Sequence, residues 1–304
     1  MYIFIVNPNS RSGRGLQIWN DLKSIIEEKK IKYQVYFTNY QKHATKIIAG
    51  FATDNEEHTF VVLGGDGTIN EVCNGIHNFH KVTLGYIPTG SSNDFARAHK
   101  LPTNPREALE KILTSKRTKL LDMGLLTYQR HSRRFMVSAG IGFDASVCHY
   151  AAVSKWKNLM NKLKLGKLTY VGIALGRLLF NTPASMKITI DDNEPMHFDK
   201  TYFVAIMNHC YEGGGFKFCP KALPDDGALD VIVAHNISKL RIITILPLAF
   251  KGLHTRCRGI HTYTCKNVII ESEHTLPIHT DGEPIFLQKK IAASLAPNQV
   301  RVIV

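Results

Sequence analysis

The spacing of apolar residues changes near residue 122 and divides the chain into two parts. Before that point, short β-branched runs at residues 2–6, 33–38, 59–63 and 83–87 alternate with stretches whose apolar residues recur at helical spacing. The helical stretches end near Lys29 and Ile76, begin near Ala44, and cover residues 106–113. Strands that alternate with helices predict an α/β domain, in which helices cover the faces of a parallel sheet.

After residue 122 most of the pattern is that of strands. The predicted strands lie at residues 135–139, 186–190, 201–207, 228–234, 266–271 and 285–287, and helical stretches interrupt them at 154–180 and 239–253. This order predicts a second, mainly antiparallel β domain. We therefore predict domains at residues 1–122 and 123–304. A final strand at 299–304 could belong to the second domain or return to the first.

A glycine-rich turn follows the third predicted strand. It contains Gly64, Gly65, Asp66, Gly67 and Thr68, and a helical pattern begins directly after it. Such a turn offers free backbone N–H groups and the positive end of a helix dipole to a phosphate. Asp66 is placed to hold the cation that accompanies a nucleotide. The alternative is an ordinary tight connection, which the carboxylate between the glycines weakens but does not remove.

Two more turns repeat this plan. Residues 7–15 follow the first strand and include Arg11 and Arg14, which suit phosphate oxygens, although no Gly-Lys-Ser/Thr ends the loop as in a Walker A motif. Residues 88–94 follow the fourth strand. Three such turns at the ends of successive parallel strands predict one crevice at the edge of a Rossmann-like sheet.

These motifs carry a family resemblance. The Gly-Gly-Asp-Gly-Thr turn, the Asn7-Pro8-x-Ser10 loop and the segment from Gly90 to Arg97 resemble the catalytic domain of diacylglycerol kinases and sphingosine kinases, above all the soluble bacterial lipid kinases. The resemblance continues over most of the chain, through Asp122-x-Gly124, residues 140–145, Asn208 with residues 213–216, residues 226–230 and residues 281–283. It implies a β-sandwich as the second domain.

The resemblance also implies which residues bind ATP. They are Asn7, Pro8, Asn9, Ser12, Gly13, Thr38, Gly64, Gly65, Asp66, Gly67, Thr68, Ile69, Asn70 and Ser91. The first loop is one residue longer than usual before its glycine, so the matches among Ser10, Arg11 and Ser12 stay open. Ser91 stands where the family commonly has threonine. Thr38 has a second interpretation as a helix N-cap, and both uses are compatible.

Three carboxylates and one metal site follow from the same resemblance. Glu283 corresponds to the proton acceptor, and Asp281 to its supporting carboxylate or a ligand of metal-bound water; Asp66 completes the catalytic set. Read alone, Asp281-Gly282 is a hairpin turn. A structural Mg²⁺ maps to Asp226 with the main-chain carbonyls of Leu223 and Ala228, for which the alternative is a plain Asp-Asp-Gly turn.

The distribution of charged residues along the chain indicates which kinds of partner the protein could bind. Lys and Arg number 38 against 25 Asp and Glu, and no acidic residue occurs within 145–190 or 231–270. A solvated basic face, a nucleic-acid surface and an anionic membrane surface are the three interpretations. Apolar residues around Trp156 alternate with lysines, which favours the membrane interface for that segment as much as core packing. Core packing is preferred for residues 168–180, and nucleic acid ranks last because no nucleic-acid-binding motif is present.

Length and composition favour a globular protein. No apolar run approaches the roughly 20 residues that span a bilayer, and the N-terminus does not resemble a signal peptide. We therefore expect a cytoplasmic protein that associates peripherally with the inner face of the membrane. The six cysteines are scattered, which favours reduced thiols over a disulfide framework or a zinc site.

The resulting hypothesis is an ATP- and Mg²⁺-dependent lipid kinase. It would phosphorylate the hydroxyl of diacylglycerol or a related lipid, and the product would be phosphatidic acid or an analogue. The enzyme would act in phospholipid metabolism. One alternative is an NAD kinase-like kinase of a soluble substrate, which shares the Gly-Gly-Asp-Gly motif. Another is a catalytically silent membrane- or lipid-binding module. The retained Asp66, Asp281 and Glu283 argue against this second alternative. The resemblance makes a homodimer an expectation.

Overall fold

The chain divides into two compact units. The structure, a computed structural model, describes residues 1–53, 56–153, 172, 176, 178 and 180–304. Unit 1 comprises Met1–Leu121 and Pro297–Val304, and unit 2 comprises Asp122–Ala296. The last residues of the chain therefore lie in the first unit.

Unit 1 is built on a six-stranded sheet. Its strands are β1 (Tyr2–Val6), β2 (Tyr33–Phe37), β3 (His58–Gly64), β4 (Val82–Pro88), β5 (Thr118–Leu121) and β15 (Val300–Ile303). Their order is β2-β1-β3-β4-β15-β5, and every pairing is parallel except that of β15 with β5. The predicted parallel α/β domain is confirmed. The final strand, whose place the sequence left open, inserts between β4 and β5.

Helices connect these strands. They are α1 (Ser10–Glu28), α2 (His43–Ala49), α3 (Asp66–Gly75), α4 (Asp94–Ala98) and α5 (Pro105–Thr114). On β1, Phe4 and Val6 are fully buried and pack in one cluster with Trp19 and Leu22 of α1. A strand buried in this way has a continuous apolar sequence rather than an alternating one, which is why Tyr2-Ile3-Phe4-Ile5-Val6 was recognisable.

Unit 2 contains a nine-stranded antiparallel sheet. Its strands are β6 (Gly124–Tyr128), β7 (His131–Phe135), β8 (Ser138–Gly142), β9 (Ala184–Ile190), β10 (Met196–Met207), β11 (Leu229–His235), β12 (Ile260–Cys265), β13 (Asn267–Thr280) and β14 (Glu283–Leu295). The order is β12-β11-β10-β8-β13-β14-β6-β7, and β9 pairs with both β10 and β13. The unit also contains helices α6 (Phe143–Val153) and α7 (Lys239–Ala249) and a 3-10 helix at Leu253–Arg256. The predicted antiparallel β domain is confirmed.

Several predicted boundaries in unit 2 were wrong. Residues 135–139 were predicted as one strand. In the structure they comprise the last residue of β7, a two-residue bend and the first two residues of β8. The bend forms because the N–H groups of Met136 and Val137 bind the carboxylate of Asp281 instead of a neighbouring strand. Strands β13 and β14 are much longer than the runs at 266–271 and 285–287.

The apolar and basic segment around Trp156 lies outside the described residues. Of the predicted helical stretch 154–180, only residues 172, 176, 178 and 180 are described, and they are helical. In the part of the chain that the structure describes, no helix is both long enough and apolar enough to cross a bilayer.

Candidate active site

The three predicted turns meet at one edge of the sheet in unit 1. Parallel pairing aligns Val6 with Leu63 and Gly64 with Pro88, so β1, β3 and β4 end side by side. The first turn is tied to the other two by side chains. The amide of Asn7 donates to Thr68 Oγ1 at 3.1 Å, and a second hydrogen bond of 2.7 Å joins the hydroxyls of Ser10 and Thr89.

Two of the glycines are required by the closeness of these turns. A Cβ on Gly90 would lie 2.6 Å from the Cα of Gly65, and one on Gly64 would lie 2.5 Å from the side chain of Thr68. The backbones of the second and third turns are therefore in direct contact. Only residues without a side chain allow these two turns to approach so closely.

Asp66 joins the second turn to the third. Its Oδ2 accepts the N–H of Asp94 at 3.0 Å and its Oδ1 accepts that of Phe95 at 3.1 Å, so the carboxylate binds the start of α4. Burial raises the pKa of Asp66 above its ordinary value, although these two N–H groups and the charge of Arg97 oppose the shift. Arg97 also forms an ion pair with Asp94. Asp66 thus holds the third turn in place, a contact that the sequence did not reveal.

The remaining predicted nucleotide residues differ in accessibility. Ile69 and Asn70 are fully buried, so their side chains are part of the interior. Arg11, Ser12 and Gly13 adopt left-handed backbone angles, with φ of 49°, 60° and 92°, inside the first turn of α1. The N–H of Gly13 donates to the carbonyl of Asn9 at 3.4 Å, which closes this turn.

Thr38 does not cap a helix. It is buried, and its N–H donates to the carbonyl of Val6 at 2.9 Å, which extends the β1–β2 pairing beyond the strand end. The start of α2 is held instead by Glu71, whose carboxylate accepts the N–H groups of Lys42 and Ala44. The N-cap interpretation of Thr38 was therefore wrong, while its position beside the end of β1 is compatible with nucleotide binding.

In unit 2, Asp281 anchors a hairpin. Asp281 and Gly282, with φ of 48° and 75°, form the two-residue turn between β13 and β14, in agreement with the hairpin interpretation of the sequence. The buried carboxylate of Asp281 accepts the N–H groups of Met136 and Val137 at 2.8 Å each and that of Ser138 at 3.0 Å. Three N–H donors satisfy a negative charge, so Asp281 fixes the turn that carries Glu283.

Glu283 forms an ion pair with Arg133. The side chains of Glu283 and Arg133 are 17% and 14% exposed, so this pair is largely shielded from water. Arg133 lies on β7, which is two strands away from β14 in the order of the sheet, and nothing in the sequence pattern pointed to it. The guanidinium fixes one orientation of the carboxylate.

A second group of ionisable side chains lies next to the same turn. We call Asp144, Glu212 and His279 the carboxylate–histidine cluster; their ligand atoms lie within 4.8 Å of one another. His279 Nε2 is 3.1 Å from Asp144 Oδ2 and 3.4 Å from Glu212 Oε1, and His279 is completely buried. A Cβ on Gly140 would overlap both Asp144 and His279. Gly140 is therefore required for this contact.

The proton state of His279 follows from its neighbours. Burial by itself lowers the pKa of His279, but the charge of Glu212 and the hydrogen bond to Asp144 outweigh it and raise the pKa to about 9. The N–H of Gly282 points at Nδ1 from 3.3 Å and favours the neutral ring. The charge of Glu212 and the 3.1 Å hydrogen bond with Asp144 favour the protonated ring more strongly, which is why the pKa of His279 is raised. The same three groups have the chemistry of a divalent-metal site.

The segment predicted to hold a structural Mg²⁺ forms an exposed turn. Asp226 Oδ1 accepts the N–H of Ala228 at 3.1 Å, and the neighbouring N–H of Gly227 donates to Asp122 Oδ2 at 2.9 Å. The Asp226 contact is an Asx turn, the alternative named from the sequence. One carboxylate with the carbonyls of Leu223 and Ala228 is an all-oxygen donor set, which suits Mg²⁺, so the Mg²⁺ assignment stays a prediction.

The architecture and these motifs define a kinase class with a nucleotide-binding unit and an antiparallel β unit. Residues 1–126 match the diacylglycerol kinase catalytic domain, and residues 136–304 match the YegS C-terminal NAD kinase beta sandwich-like domain. The chain belongs to the family of diacylglycerol kinases and YegS-like lipid kinases. The predicted resemblance is thereby confirmed.

Individual relatives are similar over nearly the whole chain. The protein named "Putative lipid kinase YtlR" of Bacillus subtilis (strain 168) is 27% identical over 99% of both chains. A diacylglycerol kinase of Mycobacterium tuberculosis (strain ATCC 25618 / H37Rv) is 27% identical over 92% of this chain and 87% of its own. A crystal structure described as that of "a putative diacylglycerol kinase" from Bacillus anthracis str. Sterne superimposes with a TM-score of 0.76, at 25% identity, over 99% of this chain and 94% of that chain.

Proposed function

We propose that this protein is an ATP- and Mg²⁺-dependent kinase that phosphorylates the hydroxyl group of diacylglycerol or a closely related membrane lipid, within phospholipid metabolism. The observation that carries the proposal is that side chains tie the three turns of unit 1 together. Asp66 joins the second turn to the third, and Asn7 and Ser10 tie the first turn to the other two.

Nucleotide binding is assigned to unit 1. Backbone N–H groups of the turns at residues 7–13 and 64–67 would bind the phosphates, because each turn lies where a strand ends and a helix begins. The carboxylate of Asp66 lies at the turn beside the start of α4 and offers the oxygen ligands that Mg²⁺ prefers, so we assign Asp66 a role in holding Mg²⁺. When bound, the ion would neutralise charge on the transferred phosphate.

Deprotonation of the lipid hydroxyl is assigned to Glu283. A general base must be ionised and fixed within hydrogen-bonding reach of the proton it removes. Arg133 holds the carboxylate of Glu283 in one orientation, and Asp281 fixes the hairpin turn beside it. Phosphoryl transfer depends mainly on positioning and charge stabilisation, so a rigid carboxylate is a sufficient protein contribution to this step.

The choice of a lipid as acceptor is supported by the relatives. The B. subtilis protein carries the name of a lipid kinase and the M. tuberculosis protein that of a diacylglycerol kinase. The shared chemistry of the candidate acceptors is a hydroxyl group on an apolar tail.

A kinase assay on a panel of acceptors tests this function. Purified protein, labelled ATP and Mg²⁺ would be combined with mixed micelles of diacylglycerol, a sphingoid base or phosphatidylglycerol, and separately with NAD. We expect phosphate transfer to a lipid hydroxyl. Glu283→Gln should lower kcat by at least about a hundredfold with little change in the KM for ATP.

The matched control is Glu271→Gln on the same hairpin. Glu271 pairs with Lys290 at an exposed position, so the control removes an equivalent carboxylate away from the turn. It should retain full activity. Phosphorylation of NAD without any lipid product would establish the soluble-substrate kinase instead. Full turnover by Glu283→Gln would remove Glu283 from the mechanism.

A further inference from the structure

Helix α7 of unit 2 is apolar on the side that faces solvent. Its buried side is formed by Ile245 and Ala249, and Ile245 packs with Ala234 and Ile237 of the β11 end. Leu240 is nevertheless 74% exposed and Ile243 40% exposed. An ordinary surface helix has one apolar face, which is turned toward the core.

The exposed apolar residues form a continuous stripe. Leu240, Ile243 and Pro247 follow the i, i+3, i+7 spacing that places residues on one face of a helix, and all three are exposed. Phe250 and Leu253, directly after the helix, extend the stripe and are 43% and 42% exposed. Grouped apolar side chains of this size on a surface mark an interaction site, whereas single ones do not.

The charges around the stripe have one sign. No Asp or Glu occurs from residue 231 to residue 270. Exposed Arg241, Lys251, Arg256 and Arg258 lie on or just after α7, and none of these four forms an ion pair with a residue that the structure describes. The surface thus combines protruding aliphatic groups with uncompensated positive charge.

We propose that α7, together with residues 250–258, is a membrane-docking surface for a bilayer that contains anionic phospholipid. The helix has 11 residues, which is too short to span a bilayer. It would lie in the plane of the interface, with Leu240 and Ile243 inserted among the acyl chains and the cations at the phosphates. An apolar stripe within a field of cations matches this partner better than a nucleic acid, which offers no apolar phase to aliphatic side chains.

This inference deepens the proposed function, because a kinase of membrane lipids needs contact with the bilayer, but it is tested without ATP. Sedimentation would be measured with vesicles of phosphatidylcholine alone and with vesicles that contain about one third phosphatidylglycerol. We expect binding to the anionic vesicles only, and binding should weaken as salt is added because each cation near the lipid contributes about fivefold.

Two pairs of variants separate the apolar from the charged contribution. Leu240→Ser with Ile243→Ser, and Arg241→Gln with Lys251→Gln, should each reduce partitioning onto anionic vesicles by about twentyfold. All four side chains are exposed, so the fold should be unaffected, which an unchanged thermal midpoint would verify.

The control variants remove equivalent groups elsewhere. Leu120→Ser with Leu287→Ser replaces two other leucines, 50% and 59% exposed. Lys23→Gln with Lys29→Gln replaces two exposed lysines, one in α1 and one directly after it. Both controls should bind vesicles as the unaltered protein does. Equal loss of binding by the control and test pairs would overturn the assignment to α7.

The remaining outcomes distinguish this surface from the proposed function. If no lipid is phosphorylated but the vesicle results hold, the kinase is wrong and the docking surface stands. If phosphorylation of vesicle lipid is the same in all variants, the docking surface is wrong and the kinase stands. Conversion of a dimer to a monomer by the Leu240/Ile243 pair, without any vesicle effect, would show instead that a second copy of the chain covers the stripe.

Discussion

Replacement of Asp281 by asparagine should destabilise unit 2 far more than an almost identical change elsewhere. Asp281 is buried, has a φ of 48°, and accepts three backbone N–H groups through both carboxylate oxygens. An asparagine has only one oxygen. In either amide orientation an NH2 group therefore faces at least one of the N–H donors from residues 136–138.

The magnitude follows from these contacts. Hydrogen bonds to a charged acceptor contribute about 1.5–3 kcal/mol each, and neutral ones about 0.5–1.5 kcal/mol. Loss of charge from the retained bonds, together with one buried N–H left without an acceptor, should cost about 3 kcal/mol. Exchange of the amide protons of Met136, Val137 and Ser138 should accelerate by about a hundredfold, since 1.4 kcal/mol corresponds to tenfold.

Asp191→Asn is the matched control. Asp191 has a φ of 50° and accepts the N–H groups of Lys266 and Asn267, both at 2.8 Å, through Oδ1 alone. Asparagine retains that oxygen and tolerates the left-handed backbone equally well. The expected cost is below about 1 kcal/mol. Urea unfolding and amide exchange would measure both variants, and equal costs for the two would refute the reasoning.

Three further predictions concern other sites. The pKa of His279 is about 9 in the folded chain and 6.5 ordinarily. The stability that protonated His279 contributes should therefore be complete below about pH 6.5 and disappear as the pH rises through 9. If His279→Gln changed the thermal midpoint equally at pH 6 and pH 10, this reasoning would be contradicted. Gly90→Ala places a Cβ 2.6 Å from the Cα of Gly65 and should cost about 2 kcal/mol in thermal unfolding, so an unchanged midpoint would disprove that contact. Burial raises the pKa of the Cys265 thiol to about 12. At pH 8 iodoacetamide should therefore label half-buried Cys257 at least about tenfold faster than Cys265. Equal labelling rates of the two cysteines, measured by mass spectrometry, would be inconsistent with a buried Cys265 thiol.

The sequence was sufficient to predict those elements whose own residues form a distinctive pattern. The strand Tyr2–Val6 was predicted to the residue because burial on both faces leaves five consecutive apolar or aromatic positions. The glycine turn at residues 64–67 was visible for a similar reason, since its glycines and carboxylate have a chemical role at fixed spacing. The predictions failed for strands that lack such a pattern and that form because they pair with a neighbouring strand. Strand β7, His-Ser-Arg-Arg-Phe, has little apolar pattern and is a strand because it pairs with β6.

The sequence by itself determined the two domain types, the family, and the turns that follow β1, β3 and β4, because short-range apolar periodicity and glycine spacing encode them directly. Only the tertiary structure decided that Asp66 holds the start of α4, that Arg133 pairs with Glu283, and that His279 lies between Asp144 and Glu212. Those contacts join residues from 28 to 150 positions apart. No local pattern records such distances, since they are set by the order in which strands pair within each sheet.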